Sequence, residues 1–281
     1  MSASRHVVSP PEPGPMRRPP RFAWLLVLVV GGALFEVLRR TLVHTQNPNL
    51  VPALLLLGAT LVPAAFVMFI RGRHLSYTVD GGTVALIAFV GGLVGITAAG
   101  TLEFDALHDL GTLPMVAVGL IEETSKLIAP LAVLLFTRFR RPADGLLIGV
   151  AAGAGFAALE TMGYAFVALV QSQGDLRSVD GLLLLRGVLS PAAHMAWTGL
   201  TAAALWAAAD HRWSARATAS FVLTFVAAVG LHAAWDSFAA IPAYVVVGLI
   251  SLGLLTVTAH RLAVRERTDR QAPVTTGLLV A

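Results

Sequence analysis

Apolar residues run almost unbroken through the segments 22–43, 50–70, 82–101, 113–136, 146–170, 182–209, 217–239 and 244–262, and prolines, glycines or charged residues bound each run. A helix of roughly 20 apolar residues is as long as a bilayer core is thick. The pattern therefore predicts an all-α fold, a polytopic bundle of about eight transmembrane helices. Segment 22–43 is long enough to span and has no small-x-small cleavage pattern, so it reads as an uncleaved anchor rather than a signal peptide. Segment 146–170 carries Gly153, Gly155 and Gly163 among alanines. Small residues let helices approach closely in lipid, which predicts a central place for it in the bundle.

Charge sets the orientation. Most of the 20 Lys and Arg residues fall in the two tails and in the even-numbered connections, at Arg71 and Arg73, at Arg138, Arg140 and Arg141, and at Arg212 and Arg216. The positive-inside rule then places both termini in the cytoplasm, with the acidic stretch from Glu103 to Asp109 as an outer loop. Residues 1–21 are rich in proline and arginine and read as a disordered basic tail. Residues 22–263 form the membrane domain, with its functional core at about 113–239, and 264–281 form a second cytoplasmic tail.

Composition narrows the chemistry. A hydrophobic fraction of 56% against 13% charged residues excludes an ordinary soluble domain. The net charge of +4 in a soluble chain would suggest nucleic acid; here the basic residues sit at helix ends, so the partner is the lipid bilayer and no nucleic acid is expected. With no cysteine, a thiolate nucleophile and a Cys-ligated zinc are both impossible.

The informative residues are the ionisable ones inside the spans, where charge is costly and usually functional. Glu122, Glu123 and Lys126 interrupt the fourth run; spacings of three and four let the lysine reach both carboxylates. Glu160 lies in the fifth run, Arg186 and His194 in the sixth, and His232 and Asp236 in the seventh. Counting at about 1.5 Å per residue from the outer helix ends puts Glu123, Glu160, His194 and His232 at one depth, roughly 12–18 Å down. Independent ion pairs have little reason to align so. Arg186, Ser190, His194 and Thr198 recur every four residues as one polar stripe, with Arg186 placed to snorkel outward. His232 and Asp236 are four apart, and the carboxylate can fix the imidazole tautomer. Glu36 and Arg40 make a local pair, and Tyr164 stands one turn after Glu160. His-Glu-x-x-His, Gly-x-Ser-x-Gly and Gly-x-Gly-Asp are all absent.

In order along the chain, Glu122-Glu123-Thr124-Ser125-Lys126, Gly153 through Glu160, Arg186-Gly187 through Pro191, His194 and Thr198-Gly199-Leu200, and Leu231-His232 through Trp235-Asp236 resemble the four motifs of the PrsW family of intramembrane proteases. The CAAX-endopeptidase and bacteriocin-processing enzymes are more distantly similar. Glu160 stands where those distant relatives commonly have histidine, which favours the PrsW branch. The resemblance spans about 115–238 and implies a multi-pass protein of the bacterial cytoplasmic membrane that cleaves a membrane-anchored protein, such as a single-pass anti-sigma factor. On this reading Glu123 with Glu122 activates water, Lys126 tunes the carboxylates and Asp236 orients His232. Glu160, His194 and His232 either bind zinc or position the water and the oxyanion, and the sequence does not separate these two versions. The rival class is a proton-coupled transporter or channel using the same buried Glu and His residues, which calls for polar access to both faces. A catalytically dead scaffold is a third.

Overall fold

A computed structural model describes residues 19–73, 75–238 and 240–271 of the chain. The parts of the expected tails at 1–18 and 272–281 lie outside the described residues, as does Ala239 at the end of the seventh run. The described residues form helices α1 (Ala23–Thr45), α2 (Val51–Arg71), α3 (Gly81–Leu110), α4 (Met115–Lys126), α5 (Ile128–Phe136), α6 (Pro142–Gln171), α7 (Leu176–Leu189), α8 (His194–Asp210), α9 (Ala215–Phe238) and α10 (Ile241–Gln271), with no strand among them. Short 3-10 turns cover Pro48–Leu50 and Ser190–Ala192. The all-α expectation holds.

Five unbroken helical segments are long and apolar enough to cross a membrane: Pro48–Arg71, Gly81–Leu110, Pro142–Gln171, Ala215–Phe238 and Ile241–Thr268. α1 is also long, but Glu36, Arg39 and Arg40 occupy its second half; Arg40 Nε and Arg39 Nε lie 2.6 and 2.7 Å from the Glu36 carboxylate, so the expected local pair is a triplet. The other two expected spans are not single helices. Run 113–136 is split into α4 and α5, and run 182–209 into α7, a 3-10 turn and α8.

Two boundaries also differ from the sequence reading. The acidic stretch from Glu103 to Asp109 is no loop, since α3 continues to Leu110 and stops at Gly111, whose φ of 69° suits a residue without a side chain. α10 runs on past residue 262 to Gln271. The extension has a purpose: Glu266 accepts the Ser76 backbone N–H at 3.0 Å and faces Arg141 at 3.6 Å. Beside it, Asp144 of α6 accepts from the Thr78 N–H at 2.7 Å and from its hydroxyl at 2.5 Å. The buried α2–α3 connection is thereby tied to α6 and α10.

α6 is the central helix, as its small residues predicted, buried along most of its length between α3 and α8. Gly153 faces α8, where an added Cβ would lie 2.5 Å from the His194 carbonyl oxygen. Gly155 faces α3, where a Cβ would overlap the Ala88 carbonyl oxygen and the Gly92 backbone. Neither neighbour is a flexible side chain, so the helices themselves would have to separate. Gly155→Ala is therefore expected to lower stability by about 1–3 kcal/mol, read as a lower Tm of the purified membrane protein. Gly163→Ala, with nothing within 4 Å of the new Cβ, is the control and should leave Tm unchanged or raise it. Large apolar side chains such as Leu26, Val29, Leu86, Phe89 and Leu223 point outward, where lipid would cover them.

Candidate active site

The acidic pair sits where a helix is interrupted. Pro130 has no N–H to offer the Lys126 carbonyl four residues earlier, and its ring crowds that carbonyl. The ladder breaks at Leu127, and Glu122, Glu123 and Lys126 become the last turn of α4. A lysine in a last turn also meets the negative end of the helix dipole.

The second break has the same cause. Pro191 cannot serve the Gly187 carbonyl, and the Ser190 hydroxyl donates to that oxygen instead at 2.9 Å. The chain leaves helical geometry at Ala193 and restarts with His194 as the first residue of α8. The expected stripe from Arg186 to Thr198 is thus not one helical face. The break separates Arg186 on α7 from His194 and Thr198 on α8.

At the meeting point, the Lys126 ammonium donates to Glu122 Oε2 at 3.0 Å and Glu123 Oε1 at 2.8 Å, and lies 2.8 Å from His194 Nδ1. An ammonium only donates, so Nδ1 accepts and the proton of this imidazole resides on Nε2. That nitrogen faces Glu160 Oε2 at 2.8 Å, and Arg186 reaches the same carboxylate at 2.7 Å. From α9, His232 Nδ1 lies 2.9 Å from Glu123 Oε1, while its Nε2 is 3.2 Å from Asp236 Oδ2 and 3.5 Å from Glu122 Oε2. Whichever nitrogen bears the proton, His232 has a carboxylate acceptor. Lys126, Glu123 and His232 are each about 1% exposed, so this network is a true interior site.

Aromatic rings hold the imidazoles. Trp197 stacks on His232 at 4.9 Å between centroids, is itself pinned by a 2.8 Å bond from its indole N–H to Ser251, and meets the His194 ring edge-on at 5.5 Å. Phe156 lies under the Lys126 ammonium, 4.2 Å from Nζ to the ring centre. Within the Lys126-bridged pair, Glu123 Oε2 is buried and has no hydrogen-bond partner.

All seven residues singled out from the sequence meet in this network, though with different neighbours. Glu160 lies behind His194, its Oε2 2.8 Å from the imidazole Nε2. The residues that bring one ligating atom each within 4.8 Å of one another are Glu122, His194 and His232, where the sequence reading has Glu160 in the place of Glu122. Arg186 does not snorkel; it pairs with Glu160 and stacks on Tyr164 at 4.2 Å, which occupies the tyrosine that the sequence offered to Glu160. Glu103 was missed altogether. It stands on α3 near enough to the site for the charges of Glu122, Glu160, His232 and Lys126 to act on it, and its Oε1 is buried without a hydrogen-bond partner. The available signal was the four-residue spacing of Gly91, Gly95, Ala99 and Glu103, whose first three members are the buried face of α3.

Two imidazoles and a carboxylate are a donor set that catalytic zinc sites use, and with the unpartnered Glu123 oxygen beside them the residues fit a divalent ion. A cavity of about 220 Å³ opens onto His194 between Tyr164, Arg186, Ser190, Trp235 and Tyr244. Among known proteins, residues 52–260 match the family model described as PrsW family intramembrane metalloprotease, a range that holds the whole network and takes in α2 and α3 as well. No curated protein and no solved structure matches.

Proposed function

Because the chain belongs to the PrsW family of intramembrane metalloproteases, and so is a multi-pass membrane peptide hydrolase, we propose that it cleaves a membrane-anchored protein with water activated by Glu122 and Glu123 and assisted by His194 and His232. The observation that carries this reading is the unengaged, buried Glu123 Oε2 inside a network drawn from α4, α6, α8 and α9. Its sister oxygen is held by Lys126 and His232, so the carboxylate is fixed in orientation and Oε2 is the atom left to take a proton from water. Lys126 bridges the two glutamates and offsets their mutual repulsion. Asp236 and Trp197 hold the His232 ring, and Glu160 with Arg186 holds His194. The imidazoles so held line the place where the carbonyl is attacked.

Glu122, His194 and His232 would hold the metal. When bound, a divalent ion supplies Lewis-acid polarisation and makes a bound water more acidic. Substrate reaches His194 through the cavity beside Tyr164 and Tyr244, and a single-pass protein of the anti-sigma type is the substrate in this reading. The test is cleavage of such a protein by the reconstituted enzyme before and after chelation, with zinc added back. Full turnover by the metal-free enzyme rejects the metal-dependent form; no cleavage of any single-pass protein rejects the protease reading.

The two broken helices give the transporter reading its one structural support, since discontinuous helices line many transport sites. Against it, α6 from Leu146 to Ala158 contains no ionisable residue and is packed on both sides by backbone. Proteoliposomes are accordingly expected to show no substrate-independent proton flux above that of empty vesicles.

A further inference from the structure

The position of Lys126 bears on how the site takes up a metal. Its ammonium has three hydrogens and three acceptors, Glu122 Oε2, Glu123 Oε1 and His194 Nδ1, at 2.8–3.0 Å. Two of these residues, Glu122 and His194, belong to the trio that brings ligating atoms together, and the ammonium is fully enclosed with Phe156 as a fourth wall. We propose that Lys126 is the resident cation of this site, so that the ammonium and a divalent ion compete for Glu122 and His194, and metal binding requires Nζ to withdraw from them.

Three points support this. A positive charge held about 3 Å from two ligand residues repels a divalent ion strongly in a buried site. His194 Nδ1 already carries a donor, and a nitrogen lone pair serves one partner at a time. The lysine also has a place to remain after withdrawing, because Glu123 Oε1 and the Phe156 ring lie outside the ligand trio. The lysine thereby keeps Glu122 and Glu123 together and His194 turned inward while no metal is bound, at the expense of metal affinity.

The inference rests on the metal-dependent form of the function proposed above. Its test is titration of metal-stripped full-length protein with Co²⁺, followed by ligand-field absorption, for the wild type, Lys126→Met and Lys126→Arg. Lys126→Met is expected to bind Co²⁺ roughly tenfold or more tightly than the wild type, with Lys126→Arg no tighter than the wild type. Cobalt should also raise the Tm of Lys126→Met by more than that of the wild type. A Lys126→Met protein recovered folded only with Co²⁺ present supports the competition as well. Equal or weaker binding by Lys126→Met, or tightening by both variants, overturns this inference alone. So does a Lys126→Met protein that folds under neither condition, because the metal should have taken the ammonium's place. Absence of cobalt binding in every protein overturns it together with the metal-dependent form, and leaves cleavage itself to be judged by the Glu123 variant.

Discussion

Glu123→Gln is expected to slow cleavage of a membrane-anchored substrate by about 10²–10⁴-fold while the protein folds and inserts as before. The substitution keeps the shape of the side chain. Its amide oxygen can still accept from Lys126 and face His232 Nδ1, as Glu123 Oε1 does at 2.8 and 2.9 Å. The amide nitrogen then falls at the position of Oε2, the buried oxygen that has no partner. A nitrogen that already carries two hydrogens cannot take a proton from water, so the loss should appear in kcat with little change in KM. Glu122→Gln is expected to lose turnover by weakening the hold on the metal, because Glu122 is one of the three residues that would bind it. Measured turnover for both variants, with Tm as the check on folding, decides the matter. Wild-type rates in Glu123→Gln would remove Glu123 from the chemistry and with it the central assignment of the site.

Much of this architecture was legible in the chain because lipid imposes a simple rule: apolar runs of spanning length become helices, and the few charges within them converge. Glu122, Glu123, Lys126, His194 and His232 were found that way. The helix breaks were the less legible part. Pro130 and Pro191 each stand inside an otherwise helical run, and a proline in a membrane helix can be accommodated within it, as Pro63 is within α2, or can end the helix. Which outcome follows depends on what receives the freed carbonyl and what fills the gap, and for Gly187 that is the Ser190 hydroxyl. Glu103 escaped for a related reason. Its acidic neighbours Asp105 and Asp109 suggested a solvated loop, whereas the face that matters is the small-residue row ending at Glu103, which continues the buried side of α3. That Glu122 rather than Glu160 groups with His194 and His232 could not be read at all, since both are glutamates inside apolar runs and it is Arg186, arriving from α7, that pairs with Glu160.

That commitment makes His194 and Glu160 separable. His194→Ala is expected to reduce cleavage by about 10²–10³-fold, because it removes the imidazole that faces the cavity and the acceptor at 2.8 Å from Lys126. Glu160→Gln is expected to cost roughly 10- to 100-fold, the range for partners that orient a ligand rather than bind it. Its amide oxygen can still accept the Nε2 proton of His194, now without the charge that pairs with Arg186. The two losses also differ in kind. His194→Ala should abolish Co²⁺ absorption as well as turnover, whereas Glu160→Gln should retain the absorption with weakened affinity. If Glu160→Gln instead removes the bound ion as completely as His194→Ala does, then Glu160 is itself a ligand, the ion pair with Arg186 must open when metal arrives, and the site closes around the trio that the sequence alone suggested.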